Sequence, residues 1–115
     1  MEEAQILNSK KGLDLVDNDM ELYRILMETF VSDTKFEPEE LKKLVAEKKN
    51  AEAASYVHAV KGAGRQIGTE KLAEAGQKLE DVLRGKANGD IDFLSKKVVA
   101  EYKAALEAVK SFLSE

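Results

Sequence analysis

HAVKGAGRQIG, residues His58–Gly68, holds the one histidine of a 115-residue chain. Residues three and four apart share a helical face, so Lys61 and Gly62 fall beside His58 if the stretch is a helix. Glycine inside a helix costs about 1 kcal/mol relative to alanine. Two glycines, Gly62 and Gly64, interrupt this stretch. Such a cost points to a demand other than helix stability.

The periodicity extends the helix to residues 51–67. With about 100° per residue and His58 at zero, Ala51, Ala54, Lys61, Gly62 and Arg65 fall within roughly 60° of the histidine. Tyr56, Val60, Ala63 and Ile67 fall within roughly 40° of the opposite side. This projection sets His58 on the solvent face, among small residues and between two cations. Gly68 then ends the helix in a left-handed conformation. Thr69 is expected to cap a following helix at 69–85, whose core face carries Leu72, Gly76, Leu79 and Leu83. A joint this short makes the two helices antiparallel neighbours.

Upstream, Pro38 suits a first helical turn, with Glu39 and Glu40 at its positive end. Leu41, Leu44 and Val45 give a short stripe for a helix at 38–49, with Lys48 and Lys49 in its last turn and Asn50 as both break and cap. Before it, Asn18 or Asp19 can cap a helix at 19–33. Met20, Tyr23, Leu26, Met27 and Phe30 are its expected apolar stripe. Residues 1–18 read as an irregular or briefly helical arm covering one end of the bundle, with Asn8-Ser9 able to cap a short turn and a break at Gly12. At the other end, Asp90 caps a long helix at 91–113, with Leu94, Val98, Ala105, Leu106, Val109 and Leu113 expected inside.

Composition agrees with this reading. Proline occurs once, and no strand-like alternation competes. The expected fold is all-α: one domain over residues 1–115, an antiparallel four-helix bundle with an N-terminal helix or arm capping one end. Eighteen Lys and Arg against 22 Asp and Glu give a net charge of −4, which argues against nucleic acid as a partner. Cysteine is absent, which excludes disulfides and thiolate chemistry. One histidine without cysteine disfavours a protein-made zinc site. No apolar run is long enough for a membrane span, so the expectation is a soluble, cytoplasmic chain, and a bundle of this size can be a monomer.

His58, Lys61, Gly62, Ile67 and Gly68 follow His-x-x-Lys-Gly and a hydrophobic-Gly pair. In this the chain resembles histidine-containing phosphotransfer (HPt) domains. The likeness extends to GLDLVDNDMELYRILMETF, residues 12–30, through Gly12, Tyr23, Leu26 and Phe30. It continues in Leu72 and Leu79-Glu80. The resemblance implies a phosphocarrier of a multistep phosphorelay. His58 would accept a phosphoryl group from the aspartyl phosphate of a receiver domain and pass it to another.

Neutral imidazole is a competent nucleophile near pH 7. Lys61 would add positive charge for phosphoryl oxygens, and Gly62 would clear space for a docking receiver. Gly64 points toward the bundle and reads as packing. Arg65 departs from the family pattern; phosphate contact, restriction of which receivers dock, and plain solvation all remain open for it. Gln77 and Glu80 lie where relatives carry a polar residue that bonds the histidine, usually a glutamine in place of Glu80. A carboxylate there can orient the ring but repels a phosphoryl group. The expected partner patch is Ala51, Ala54 and Ser55, with Leu13 and Val16 contributed by the arm or else serving as its cap. No cofactor is expected on this chain, since the resemblance implies that Mg²⁺ and an acidic cluster come with the receiver. No phosphate-binding glycine loop or kinase segment is present, so the chain should not phosphorylate itself. Two alternatives remain: an adaptor that docks receivers without transfer, and a fragment of a hybrid sensor kinase.

Overall fold

The computed structural model describes residues 6–34 and 36–115; the first five residues of the expected arm and Lys35 lie outside them. The described residues form α1 (Ser9–Asp14), α2 (Met20–Asp33), α3 (Pro38–Ala46), α4 (Asn50–Ile67), α5 (Glu70–Leu83) and α6 (Ile91–Leu113). The fold is an all-α bundle. α4 and α5 share the broadest contact, α6 packs on α5, and α2 and α3 each touch both α4 and α6. The two-residue joint between α4 and α5 leaves them no arrangement but antiparallel.

Local chemistry sets most boundaries. Asn8, Asp19 and Asp90 each accept a backbone N–H of the following first turn through a side-chain oxygen, at 3.1 Å in all three cases. Gly68 takes φ +88°, as a left-handed helix stop requires. Its carbonyl accepts the Asn8 N–H at 2.8 Å, tying the arm to the α4–α5 turn.

Several expected features fall elsewhere. Gly12 does not break the arm. It lies buried inside α1, where an added Cβ would overlap the Tyr23 ring and come within 2.8 Å of the Ile67 carbonyl oxygen. Its job is close approach. α3 ends at Ala46, because Lys48 takes φ +58° and turns the chain. Lys48 and Lys49 therefore sit in the connection, and Lys49, not Asn50, holds the N-cap position of α4 without a capping side chain. Thr69 holds the N-cap position of α5 but does not cap it. Its hydroxyl donates to the Gly64 carbonyl at 2.7 Å, satisfying a fully buried polar group. α5 stops at Leu83, ahead of Gly85 at φ +76°.

The core gathers Tyr23, Met27 and Phe30 of α2, Leu41 of α3, Val57, Val60 and Ile67 of α4, Leu72 and Leu79 of α5, and Val98 and Val109 of α6. Met20 does not join them and is 44% exposed, one turn too early to reach the bundle. Tyr102, which the α6 reading omitted, is buried against Phe30 and Phe36. The Tyr23 hydroxyl donates to the Ile67 carbonyl at 2.8 Å, and burial pushes its pKa up to about 12. That bond joins α2 to the last turn of α4.

Candidate functional site

His58 lies two and a half turns into α4 with its side chain 61% exposed. Gly62, one turn on, faces open space: an added Cβ would meet nothing within 4 Å. Gly64 is closed in, since a Cβ there would stand 2.6 Å from the Thr69 hydroxyl and 2.9 Å from Leu72. The two glycines therefore serve different ends, access and packing.

Lys61 is where the sequence projection fails. It is 6% exposed, so it does not share the solvent face of His58. Ala54, expected in the partner patch, is fully buried. The buried set on α4 is Ala53, Ala54, Val57, Val60, Lys61, Gly64 and Ile67. Its centre lies roughly 115° from His58, not opposite to it. The projection weighted the large residues and passed over Ala53 and Val57; Gly64, expected toward the bundle, is buried there against Thr69 and Leu72. Tyr56 and Ala63 fall at the edge as a result, half-buried. Gly76 of α5 completes the arrangement. A Cβ on it would stand 3.0 Å from the Lys61 Cβ, so the missing side chain lets the lysine stem pass between the helices.

The buried lysine ends on a carboxylate. Lys61 Nζ donates to Glu80 Oε1 at 2.8 Å and to Gln77 Oε1 at 3.0 Å. Glu80 Oε2 accepts the Arg84 Nε–H at 2.8 Å, a contact one helical turn along α5. The same oxygen lies 3.1 Å from His58 Nδ1. Gln77 passes its own Nε2–H to Asp81 Oδ1 at 2.8 Å. Burial of Glu80 would raise its pKa and is the largest single influence. The hydrogen bonds from Lys61, Arg84 and His58, with the Lys61 charge, together outweigh it and bring the pKa from 4.5 to about 2.

That balance fixes the histidine. An ionised carboxylate only accepts, so a neutral His58 must carry its proton on Nδ1. The tautomer is assigned from this network. Nε2 is then left with its lone pair on the opposite edge of a largely exposed ring. It makes no hydrogen bond among the described residues. The arrangement can present one ring nitrogen as a nucleophile while holding the other.

The remaining expected site residues divide. Ala51 and Ser55 are exposed and, with Leu44, Tyr56 and Ala59, line a groove of about 600 Å³ between α3 and α4 beside the histidine. Arg65 is exposed and borders a second groove of about 400 Å³ with Lys11, Leu15 and Glu70. Leu13 and Val16 pack half-buried against the core and act as the cap; the exposed large apolar residues of the described arm are Ile6, at 39%, and Leu15, at 59%. Gln77 and Glu80 are brought to Lys61 and His58. Arg84 and Asp81 went unread, although Glu80 and Arg84 at i and i+4 on a helix are a pair the sequence offers. Among the described residues, no group of three or more His, Cys, Asp and Glu is placed to hold a metal ion, and no helix is long and apolar enough to cross a membrane.

The family model described as Hpt domain matches residues 25–112, which take in α4, α5 and nearly all of α6. No curated protein matches the chain significantly, and no solved structure does.

Proposed function

The chain belongs to the Hpt domain family, with the phosphotransfer role in phosphorelays that membership carries; from that premise we propose that His58 is its phosphoacceptor and Nε2 the reacting atom. The observation that supports this most is the Glu80 carboxylate on Nδ1. It holds the ring in one tautomer and one orientation, and phosphoryl transfer depends above all on positioning and charge.

The step conserves protons. The Nε2 lone pair forms the N–P bond while the acyl O–P bond of a receiver's aspartyl phosphate breaks. The bonding pair leaves with the receiver carboxylate. The proton on Nδ1 stays in place, and the ring takes a positive charge beside Glu80. Passing the group to a second receiver reverses these events. Mg²⁺ and the acidic residues that hold it come with the receiver. The open space at Gly62 admits the receiver's active-site rim, and Ala51 and Ser55 supply a small-residue approach along the groove between α3 and α4. Lys61 acts through Glu80 and keeps that carboxylate ionised under the ring.

Incubation with a phosphorylated receiver domain tests the proposal. Label should move to the chain in an acid-labile, base-stable form and be absent from His58→Gln. Binding of the receiver without label would favour the docking adaptor instead.

A further inference from the structure

The motif lysine is committed. Lys61 is 7% exposed at its side chain and spends two of its three N–H donors on Glu80 and Gln77. A phosphoryl group on Nε2 brings at least one full negative charge to the edge of the ring. Some other donor has to meet it.

Arg84 fits that need. Its Nε–H is fixed on Glu80 Oε2, the oxygen that also faces His58 Nδ1. Two donors on one carboxylate oxygen lie within about 6 Å of each other, which puts Arg84 Nε at the Nδ1 side of the ring; the terminal amino groups, the far end of the guanidinium, are what would reach round to Nε2. Its two terminal amino groups make no hydrogen bond among the described residues, and the side chain is 35% exposed. On Glu80 itself two cations, Lys61 and Arg84, meet one carboxylate. Asp81, bonded to the neutral amide of Gln77, adds a second negative charge nearby. Of the two cations, Arg84 is the one that reaches solvent. A planar guanidinium, with one edge anchored and its outer edge free, is suited to phosphoryl oxygens.

We propose that Arg84, at the C-cap of α5, is the side chain that contacts the phosphoryl group on His58, with Glu80 holding it at the ring. This rests on the phosphoacceptor reading above and adds to it the residue that binds the transferred group. It also removes the objection to a carboxylate beside a phosphoryl group, because the carboxylate carries the cation in.

Two measurements test it. Phosphoramidate, a small phosphoryl donor, loads the histidine without any receiver. In the loaded wild-type chain, the Arg84 guanidinium ¹⁵N signals should shift and the terminal amino groups should rotate more slowly. Unchanged Arg84 signals on a loaded chain would overturn the proposal. The second measurement is the equilibrium of phosphoryl exchange with a receiver. Arg84→Gln should shift it toward the receiver by about tenfold, as loss of one charge-assisted hydrogen bond implies. Arg84→Lys should recover part of that shift. An unmoved equilibrium contradicts the proposal. A shift accompanied by a changed His58 tautomer also contradicts it, because Arg84 would then act only through Glu80. If phosphoramidate loads His58 but no receiver does, the relay reading fails while the Arg84 signals still decide this one.

Discussion

Glu80 is the residue on which the site turns. Three donors from two helices meet on one carboxylate that is only 8% exposed at its side chain. Its pKa near 2 is depressed relative to the ordinary 4.5. The contribution to stability is therefore present above about pH 4.5 and is lost as pH falls toward 2, because protonation then releases Lys61 and Arg84. Wild type should lose on the order of 3 kcal/mol over that window in denaturant titrations, and Glu80→Gln should lose much less. At neutral pH, Glu80→Ala should cost about 3 kcal/mol or more, since it strands the buried Lys61 ammonium without its counter-charge. A Glu80→Ala variant as stable as wild type would show that Lys61 reaches solvent. None of this was legible from one helix. Lys61 and His58 share a face on paper, and burial of the lysine is decided by Gly76 on α5, which opens the passage for its stem.

At the scale of the element, α4 separates its two inner glycines by what surrounds them. Gly64→Ala should destabilise by about 1–3 kcal/mol, because the new methyl has no room against Thr69 and Leu72. Gly62→Ala should be neutral or stabilising by up to about 1 kcal/mol, through helix propensity alone. Its cost should fall on transfer, where a methyl meets the docked receiver. Thermal unfolding of the pair, beside their transfer rates, checks the contrast; equal destabilisation of both would refute it. The sequence carried the helices well wherever a residue type marked the boundary, as at Asp19, Asp90 and Gly68. It failed where the backbone alone decided. Lys48 turns the chain with a positive φ that favours no lysine, and Thr69 stands at a cap position while bonding backward.

Across the whole molecule, the arm and the bundle are joined at one end of α4, far from the histidine. Ten residues separate His58 from Gly68, about 15 Å of helix. There Gly12 sits against Tyr23 and Ile67, the Tyr23 hydroxyl bonds the Ile67 carbonyl, and Asn8 bonds the Gly68 carbonyl. Tyr23→Phe should lower stability by about 1–3 kcal/mol by leaving a buried carbonyl unpaired, with phosphoryl transfer at His58 preserved. Loss of transfer in a folded Tyr23→Phe chain would mean that the arm reaches the site. The all-α class, the outward histidine and the glycine division were readable from spacing. The inward lysine and the approach of the Glu80–Arg84 pair to His58 were not, because they depend on how α5 lies across α4, and that register is a property of packing.

Under the proposed function, a carboxylate on Nδ1 leaves Nε2 of His58 to take the phosphoryl group. With one histidine in the chain, a long-range ¹H–¹⁵N spectrum reads it without assignment ambiguity, before and after incubation with a phosphorylated receiver. The prediction is an Nδ1-protonated ring in the free chain and phosphorus coupling at Nε2 in the loaded one. Phosphorus at Nδ1, or a phosphorylated chain whose histidine signals do not move, would contradict it.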